Sequence, residues 1–354
     1  MREAMNVVES AGHLDTMTEK AGARPLVTFV LVAYNHERFV RPAIESALAQ
    51  TYRPIQFIFS DDCSTDRTFD IMREVAAQYE GKENILLNRN EHNLGVVRHL
   101  NRVFIELAKG KYFIQLGGDD ITTPDRTEKV VECFENTGAS AVAINPGMID
   151  EEGKETGGRL FPSYPEGLLK FDDFFVKGAQ FFGGDFSRDV FDVYGPMQSS
   201  ARNEDRILPF RACTLGGVAY LNHPVYYYRT HGENMSFWIK KKNDPDNRLR
   251  YEREGMRNEL QNRVNFFQEV LRSYQVADKE YILAQIRAKA IGQLIRLVTL
   301  TPGLSARLSL VPLACRANRS MKESLTMLVV CFSPKLYMLL IAIWQKFCKL
   351  STVR

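Results

Sequence analysis

The sequence lacks the signatures of several common protein classes. Its six cysteines include no CxxC pair, and their irregular spacing argues against a zinc module or a disulfide scaffold. None of the 23 glycines belongs to a GxG pair, so the dinucleotide-binding fingerprint is absent, as are a GxxxxGKS/T phosphate loop and an HExxH zinc motif. Because no apolar run near Met1 resembles a secretion signal, we expect a reduced, cytoplasmic protein.

The chain of 354 residues also has little net charge, +3 at pH 7, which argues against a nucleic-acid partner. The charge is uneven, because residues 301–354 hold eight Lys or Arg and one Glu. This tail therefore carries +7, and residues 1–300 carry −4. With 45% hydrophobic and 25% charged residues, the composition is typical of soluble globular proteins of one large domain or two smaller ones.

Strand and helix patterns alternate along residues 26–145. The first pattern, Leu26–Tyr34, is a nearly continuous apolar run, which is typical of a strand that is buried on both faces. Further strands are predicted at 55–60, 85–87, 111–116 and 141–145, and helices at 38–50, 68–79, 97–108 and 125–135. This alternation predicts an α/β fold with one doubly wound, mostly parallel sheet flanked by helices.

Three parts are expected along the chain. Residues 1–24 are polar and mixed in charge, as in a flexible arm. Residues 25–240 contain the alternating pattern and form the α/β domain. Residues 241–354 form a helical extension that begins with long amphipathic helices at 249–274 and 279–299.

The tail contains an apolar segment, residues 325–344, with 16 apolar residues in 20. The segment is barely long enough to span ~30 Å of hydrocarbon, and Lys335 at its middle would be costly there. We therefore expect the basic, apolar tail to associate peripherally with a membrane, where each basic residue adds ~1 kcal/mol of attraction to anionic lipids. A helical pair packed against the rest of the chain is the alternative.

Polar side chains follow three of the predicted strands. They are Tyr34 and Asn35, Asp61 and Asp62, and Asp119 and Asp120. Ligands bind at the carboxyl ends of the strands in such sheets, and paired carboxylates can hold Mg²⁺ or Mn²⁺ together with phosphate oxygens. Gly117 and Gly118 would let a diphosphate approach the backbone. On spacing alone, a solvated Asp-Asp turn explains Asp119 and Asp120 equally well.

The remaining candidate residues have simpler interpretations. His36, His92 and His99 are expected to face solvent, and the run Tyr226–Tyr228 is expected to pack within a strand. Taken by itself, Asp205 is more simply part of a surface ion pair with Arg202 or Arg206, and His231 is a capping or core histidine.

Seven motifs in order resemble the family 2 glycosyltransferases of the GT-A fold. They are Pro25–Asn35 (PLVTFVLVAYN), Ile44–Tyr52 (IESALAQTY), Asp61–Asp66 (DDCSTD), Asn93–Gly95 with Asn101, Gly118–Asp120 with Pro124–Arg126, Asn203–Asp205, and Tyr228–His231 with Ser236. Each motif is weak alone, but the ordered set over residues 25–237 is specific. The resemblance does not extend to the tail.

The resemblance implies a catalytic domain at 25–240 that transfers a sugar with inversion. The donor would be a nucleotide-diphosphate sugar, expected to be a UDP-sugar, and the acceptor a hydroxyl of a glycan or a lipid-linked saccharide. By analogy, the setting would be bacterial surface polysaccharide or lipopolysaccharide assembly, at the inner face of the cytoplasmic membrane. The sugar, the linkage and the acceptor are not implied.

Six residues match positions that bind the donor nucleotide in this family. Tyr34 matches the position that stacks on the base, Asp62 the position that hydrogen-bonds the base, and Asp119 the carboxylate at the ribose. Ala33, Asn35 and Asn101 complete the set.

The resemblance also implies a metal and a base. Asp120 matches the ligand of Mn²⁺ or Mg²⁺, and His231 matches a position that reaches the metal or the diphosphate in some relatives. Asp205 matches the general base, and Glu204 and Arg229 are candidate contacts to the acceptor or the diphosphate. One base and one Lewis acid are what a single in-line displacement requires.

Two departures from the family pattern stand out. Cys63 replaces the usual glycine of the DDGSTD motif, so the turn has to accommodate a Cβ atom, and Gly117 stands where many members have a third acid. Two other functions stay open: nucleotidyl transfer to sugar phosphates, and a catalytically inactive, membrane-associated scaffold. The first normally uses a basic, glycine-rich loop after the first strand, which is missing here, and the second has no need of the four carboxylates.

Overall fold

The computed structural model describes residues 24–81, 84–159, 167–176, 184–198, 204–221, 223–232, 248–273 and 275–300. The chain divides into two compact units, Met1–Asn234 and Met235–Arg354. Nearly all of the predicted arm at 1–24 and the whole tail at 301–354 lie outside the described residues. Within the described ranges, no helix is both long and apolar enough to cross a membrane.

Twelve strands are found in the described part of the first unit. They are β1 (Val27–Ala33), β2 (Ile55–Asp61), β3 (Ile85–Arg89), β4 (Tyr112–Gly117), β5 (Ile121–Thr122), β6 (Ala141–Ile144), β7 (Gly147–Ile149), β8 (Glu155–Arg159), β9 (Leu168–Leu169), β10 (Asp185–Ser187), β11 (Val218–Leu221) and β12 (Tyr226–Arg229).

The helices of the first unit are α1 (Val40–Leu48), α2 (Thr68–Gln78), α3 (Val96–Asn101), α4 (Arg126–Thr137), α5 (Asp189–Asp192) and α6 (Glu204–Cys213). A π-helical segment, Arg102–Leu107, continues α3, and a second one spans Asp172–Val176. Helix α4 ends at Gly138, whose φ of 64° is the left-handed conformation that favours glycine after a helix.

Eight strands form a mixed sheet in the order β3-β2-β1-β4-β10-β6-β11-β9. Strands β3, β2, β1 and β4 are mutually parallel, whereas β10 runs antiparallel to both of its neighbours, β4 and β6. The remaining four strands form a second sheet in the order β5-β12-β7-β8. The predicted α/β class and the mainly parallel sheet are confirmed, and the small second sheet is an addition to the prediction.

The core explains why the apolar runs form central strands. Val27, Phe29 and Leu31 of β1 are fully buried and pack in one cluster with residues of α1, α2 and α4. Thr28 and Val30, which point to the opposite face of β1, are fully buried as well. Burial on both faces is expected for a central strand of a parallel sheet. The core therefore holds β1 at the centre of the parallel strands. The residues that follow its carboxyl end form the base of the candidate site.

The second unit contains two long helices, α7 (Arg248–Arg272) and α8 (Lys279–Leu300), which pack against each other. Buried residues such as Leu260, Val264 and Ile286 recur at helical spacing. These helices confirm the predicted helices at 249–274 and 279–299.

Candidate functional site

The ends of three adjacent strands lie side by side. β1 lies between β2 and β4, and the register pairs Ala33 with Asp61 and Val32 with Gly117. Because these strands are parallel, the residues that follow them emerge at one edge of the sheet. This edge carries the candidate residues of all three predicted strand ends.

The loop after β1 is shaped by Asn35. Its φ of 56° lies in the left-handed region, which asparagine tolerates better than most residues. Its backbone N–H donates to Ser64 Oγ at 2.9 Å, and its Oδ1 accepts from the Thr65 N–H at 2.9 Å. The Asn35 side chain thus joins the β1 and β2 loops. Its neighbour Tyr34 stays 42% exposed, with its ring accessible to a ligand.

The two carboxylates after β2 have separate partners. Asp61 is fully buried and accepts from the Ser64 N–H at 2.9 Å and from the Ser64 hydroxyl, and burial raises its pKa. Asp62 accepts from Asn90 Nδ2 at 2.7 Å and from the N–H groups of Leu94 and Gly95 at 2.9 Å each. Asp61 therefore closes its own turn, whereas Asp62 holds the loop after β3.

Asp119 presents its carboxylate to two histidines. Its Oδ2 lies 3.2 Å from Nε2 of His231 and 3.9 Å from Nε2 of His36. The Asp119 side chain is 17% exposed. Burial favours the neutral acid, but the hydrogen bond from His231 and the attraction of His36 outweigh it and lower the pKa of Asp119. Asp119 is therefore an ionised carboxylate at the edge of the site.

Asp120 has the opposite environment. Its Oδ2 accepts from the Tyr226 hydroxyl and its Oδ1 from the Arg229 backbone N–H at 2.8 Å, both on β12. It is 4% exposed, and burial, together with the adjacent Asp119 charge, raises its pKa well above the usual value. Asp120 therefore joins the β4 loop to the second sheet.

The Arg229 side chain supports the same loop. Its Nε donates to the Asp119 carbonyl oxygen at 2.7 Å and its Nη1 to the Glu151 carbonyl oxygen at 2.8 Å. Its guanidinium also lies 5.2 Å from the ring centre of Phe39, whose ring packs at a tilt against His231 with the ring centres 4.7 Å apart. Arg229 thus fixes the backbone that carries Asp119.

Two histidines were placed wrongly by the sequence interpretation, which put them in solvent. His36 is a member of the site, since its imidazole is three-quarters buried, with Nδ1 lying next to Gly118. A Cβ atom at Gly118 would lie 2.6 Å from Ala33 Cβ and 2.9 Å from His36 Nδ1, so only glycine fits there. His99 is 3% exposed and contacts Ser60. The prediction for His92 is confirmed, because this residue is exposed.

The strand assignment of Tyr226–Tyr228 is confirmed by β12, but packing is not the whole role of Tyr226. Its hydroxyl binds Asp120, a contact that the sequence interpretation missed. A tyrosine on a strand gives no sequence signal of a partner 106 residues away. Nor does the pattern around His36 indicate that its ring turns inward.

The remaining predicted residues lie on other elements. The Asn101 amide exchanges hydrogen bonds with the Met197 backbone, donating at 2.7 Å and accepting at 2.8 Å. Glu204 and Asp205 form the first turn of α6. Burial, and next the charge of Asp205, raise the pKa of Glu204 to about 8. The structure thus brings Ala33, Asp119 and His231 together at the strand ends. Glu204 and Asp205 lie on a different element, α6.

The donor set at Asp119 fits a divalent cation that is partly ligated by substrate. Among the described residues, no three His, Cys, Asp or Glu side chains are arranged to hold a metal ion by themselves. The Asp119 carboxylate and His231 Nε2, 3.2 Å apart, would nevertheless provide two ligands once Nε2 gives up the proton that it donates to Asp119. Mg²⁺ and Mn²⁺ commonly take one or two protein ligands and complete their coordination with phosphate oxygens and water.

Comparison with known sequences identifies the same region. The profile described as glycosyl transferase family 2 matches residues 28–192. The putative glycosyltransferase EpsE of Bacillus subtilis is 34% identical over 161 residues, which are 45% of this chain and 55% of EpsE. The UDP-Glc:alpha-D-GlcNAc-diphosphoundecaprenol beta-1,3-glucosyltransferase WfaP of Escherichia coli is 33% identical over 120 residues, 31% of this chain and 45% of WfaP. The chain thus spans about half the length of these curated relatives.

The fold also has relatives among solved structures. Residues 1–349 of TarS from S. aureus, in complex with UDP-GlcNAc, align with a TM-score of 0.54 over 85% of this chain and 90% of that chain. The sequence identity is 12%, so this likeness concerns the fold alone. Residues 28–192, which run from β1 to α5, thus match the glycosyl transferase family 2 profile, and the chain has the GT-A fold of such enzymes.

Proposed function

We propose that this protein is an inverting, metal-dependent glycosyltransferase. It moves a sugar from a nucleotide-diphosphate donor, a UDP-sugar, to a hydroxyl of a glycan or lipid-linked acceptor. The observation that carries the proposal is the Asp119 carboxylate facing two imidazoles, at the strand ends that also hold Tyr34 and Asp62. The activity of WfaP, transfer from UDP-Glc to a GlcNAc-diphosphoundecaprenol acceptor, supports a UDP-sugar donor and a lipid-linked acceptor, and by analogy a role in bacterial surface polysaccharide assembly.

In this proposal the donor nucleotide lies over the ends of β1 and β2. The exposed Tyr34 ring stacks on the base, with Ala33 and Asn35 forming the adjacent backbone. Among the described residues, three donors reach Asp62, two at Oδ1 and one at Oδ2. A carboxylate has about four acceptor positions, so one position on Oδ2 is left for an N–H of the base. Asn101 would contribute indirectly, by holding the segment at Met197.

For the metal, the geometry favours Asp119 and His231 over the expected pair of Asp120 and His231. Both oxygens of Asp120 are engaged by β12, whereas the Asp119 carboxylate and His231 Nε2 face each other at the site. When bound, Mn²⁺ or Mg²⁺ would neutralise the charge of the leaving diphosphate. Arg229 keeps the Asp119 backbone in position, and His36 lies beside the same carboxylate.

For the general base, we retain Asp205, which opens α6 next to Glu204. Inversion by a single displacement requires one group to take the proton of the acceptor hydroxyl, and a well-placed base contributes about 10²–10⁴-fold in rate. Asp205→Asn should therefore lose turnover by this factor and keep its affinity for UDP. The exposed Asp70 provides the matched control, because Asp70→Asn should keep both the turnover and the affinity for UDP. Loss of UDP binding in Asp205→Asn would make Asp205 structural instead.

The experiment that tests the proposal is a donor screen. The purified protein is incubated with a lipid-extract acceptor mixture and each common nucleotide sugar, in Mn²⁺ or Mg²⁺, with and without EDTA. We expect one donor to release its nucleoside diphosphate, and EDTA to stop the release. Release of pyrophosphate from a nucleoside triphosphate and a sugar phosphate would indicate nucleotidyl transfer. Neither release nor nucleotide binding with any donor would support the inactive scaffold.

We also propose that residues 301–354 hold the enzyme at the inner face of the cytoplasmic membrane. The support is their net charge of +7 and the apolar run at 325–344. The full chain should float with vesicles that contain phosphatidylglycerol and should not float with pure phosphatidylcholine. Binding that is indifferent to lipid charge and salt would contradict an electrostatic component.

A further inference from the structure

Five polar side chains form a buried chain beneath the loop that carries Asp62. Ser60 and Asp62 occupy alternate positions of β2 and its end, and Asn88 and Asn90 occupy alternate positions of β3 and its end. The register pairs Ser60 with Asn88, so these four side chains share one face of the sheet. His99 of α3 closes the group, and all five residues are between 0 and 8% exposed.

Hydrogen bonds connect the five side chains in series. Asn90 Nδ2 lies 2.7 Å from Asp62 Oδ1, and Asn88 Nδ2 lies 3.2 Å from Asn90 Oδ1. Asn88 Nδ2 also lies 2.8 Å from Ser60 Oγ, which in turn lies 2.5 Å from His99 Nε2. The chain therefore runs without a break from the Asp62 carboxylate to His99.

The carboxylate determines the direction of the hydrogen bonds that the two amides make in this chain. Since Asp62 only accepts, Asn90 has to present its NH₂ group to Asp62 and its oxygen to Asn88. Asn88 then presents its NH₂ group to both Asn90 and Ser60. The Ser60 oxygen accepts from Asn88, and its hydroxyl donates to His99 in the tautomer whose Nε2 is the unprotonated nitrogen. In that tautomer His99 is a neutral acceptor at the far end of the chain.

Packing between these elements does not by itself call for polar side chains. Burying polar groups is tolerated only if their hydrogen bonds are made, and an apolar set would fill the same space between β2, β3 and α3 without that condition. Asp62 is the member that reaches the candidate site. The chain fixes Oδ1 of Asp62 and therefore also the direction of Oδ2, the oxygen with the remaining acceptor position.

We propose that His99, acting through Ser60, Asn88 and Asn90, is a positioning residue that aims the Asp62 carboxylate at the N–H of the donor's nucleobase. The inference rests on the proposed function, because it assumes that a nucleotide occupies the strand ends. It adds that recognition of the base depends on a residue of α3 that does not touch the ligand. The effect of His99 should therefore be confined to ligands that carry a base.

The test compares binding of UDP with binding of inorganic pyrophosphate, which has the phosphates but no base. Both dissociation constants are measured by calorimetry in one Mg²⁺ buffer. His99→Leu removes the acceptor at the end of the chain, and we expect the UDP constant to rise about tenfold. The pyrophosphate constant should stay within about twofold, since no base is involved. His99→Gln restores an acceptor for Ser60 and should bring the UDP constant back to within about threefold of the wild type.

Phe104→Leu is the matched control for loss of stability. Phe104 is fully buried in the π-helical segment that follows α3, and its ring packs on Phe113 and Phe191. It is an apolar residue and no member of the polar chain. An equal loss of UDP affinity in Phe104→Leu and His99→Leu would overturn the inference, and so would a parallel rise of the pyrophosphate constant. If His99→Leu fails to fold, Ser60→Ala interrupts the chain at the next atom, and the same expectations apply.

The wild-type protein separates this inference from the proposed function. It is first titrated with UDP, GDP, CDP and dTDP. Binding of none of them would overturn the proposed function and the role of His99 together. Binding of one of them, with the same affinity in His99→Leu and the wild type, would leave the proposed function standing and overturn the role of His99 alone.

Discussion

Two adjacent aspartates at the end of β4 differ in what they contact. Asp119 faces the imidazoles of His231 and His36, whereas Asp120 accepts from Tyr226 and from the Arg229 backbone. The same two-residue motif thus supplies one group for ligand chemistry and one for the architecture of the loop. Identical substitutions should separate the two roles.

We predict that Asp119→Leu abolishes the contribution of Mn²⁺ to UDP binding and costs about 1–3 kcal/mol of stability, because it removes one buried hydrogen bond, that from His231. Asp120→Leu should cost about 1–3 kcal/mol of stability for each buried donor that it leaves unpaired, namely the Tyr226 hydroxyl and the Arg229 N–H. Urea unfolding and calorimetry with and without Mn²⁺ measure both quantities. If Asp120→Leu instead abolished the contribution of Mn²⁺ to UDP binding and Asp119→Leu did not, Asp120 would be the metal ligand.

Cys63 illustrates backbone strain at a single residue. Its φ of 64° lies in the left-handed region, which costs a residue with a Cβ atom about 1–2 kcal/mol. Cys63→Gly should remove this cost, and after the greater entropy of glycine in the unfolded chain is subtracted, it should stabilise the protein by up to about 1 kcal/mol.

Gly138 is the matched control for this prediction, because it has the same φ of 64° and room for a side chain. A Cβ atom added there would meet no atom of the described residues within 4 Å, apart from those of its neighbours in the chain. Gly138→Ala should therefore destabilise the protein by about 1 kcal/mol through conformation alone. Both changes are read from the midpoint of urea unfolding. A destabilised Cys63→Gly variant would mean that the Cys63 Sγ contact with the Glu91 carbonyl, at 3.5 Å, outweighs the strain.

At the scale of elements, a buried ion pair joins α4 to two strands. Arg126, the first residue of α4, donates through Nη2 to Asp185 of β10 at 2.7 Å and to the Gln115 carbonyl of β4 at 2.8 Å. The exposed fractions of the two charged side chains are 2% and 0%. The Arg126 guanidinium also lies 5.0 Å from the ring centre of Tyr226, the residue that binds Asp120. The pair therefore supports both the antiparallel strand and the site.

We predict that Arg126→Met lowers the free energy of unfolding by about 3–5 kcal/mol, because it leaves Asp185 buried without its partner. The double variant Arg126→Met/Asp185→Leu should recover a large part of this loss, since no charge is then left unpaired. Urea unfolding of the two variants measures the difference. A double variant as unstable as the single one would assign the loss to packing rather than to charge.

The same elements show what sequence could and could not predict. Long apolar runs and helical spacing located β1, β2, β4 and α1 within two residues at each end, because their patterns are local. The second sheet was missed, since β5 has only two residues and pairs with β12 more than a hundred residues later. No periodicity can develop over two residues. Only tertiary pairing defines such a strand.

For the site, the sequence predicted which strand ends carry polar groups but not how each side chain turns. The direction of Asp119 and Asp120 depends on β12, and the burial of His99 depends on its contact with Ser60. A local signal for the buried chain was nevertheless present. Polar residues alternate at Ser60 and Asp62 and again at Asn88 and Asn90, which places them on one face of two neighbouring strands.

At the scale of the whole molecule, buried titratable groups act on stability in opposite directions. Burial raises the pKa values of Asp61, Asp120 and Asp185, so the stability that depends on their protonated forms decreases as the pH rises. Burial lowers the pKa of His99 to about 4, while Asp62 partly opposes the shift and Arg102 adds to it. The dependence of stability on pH is the sum of these contributions. A variant that changes His99 alone is therefore needed to isolate its part.

The unfolded chain protonates its histidine at a pKa of about 6.5, whereas folded His99 stays neutral down to about 4. As the pH falls between these values the unfolded state binds the extra proton, so the stability linked to His99 is complete above pH 6.5 and decreases toward pH 4. From pH 7.5 to pH 5 the wild type should therefore lose about 2 kcal/mol more than His99→Gln. Urea unfolding of both proteins at each pH measures the difference, and the exposed His92 gives the control variant His92→Gln, whose curve should follow the wild type. Parallel curves for His99→Gln and the wild type would mean that His99 takes up its proton as readily in the folded protein as in the unfolded one, and the neutral acceptor at the end of the buried chain would then have to be given up.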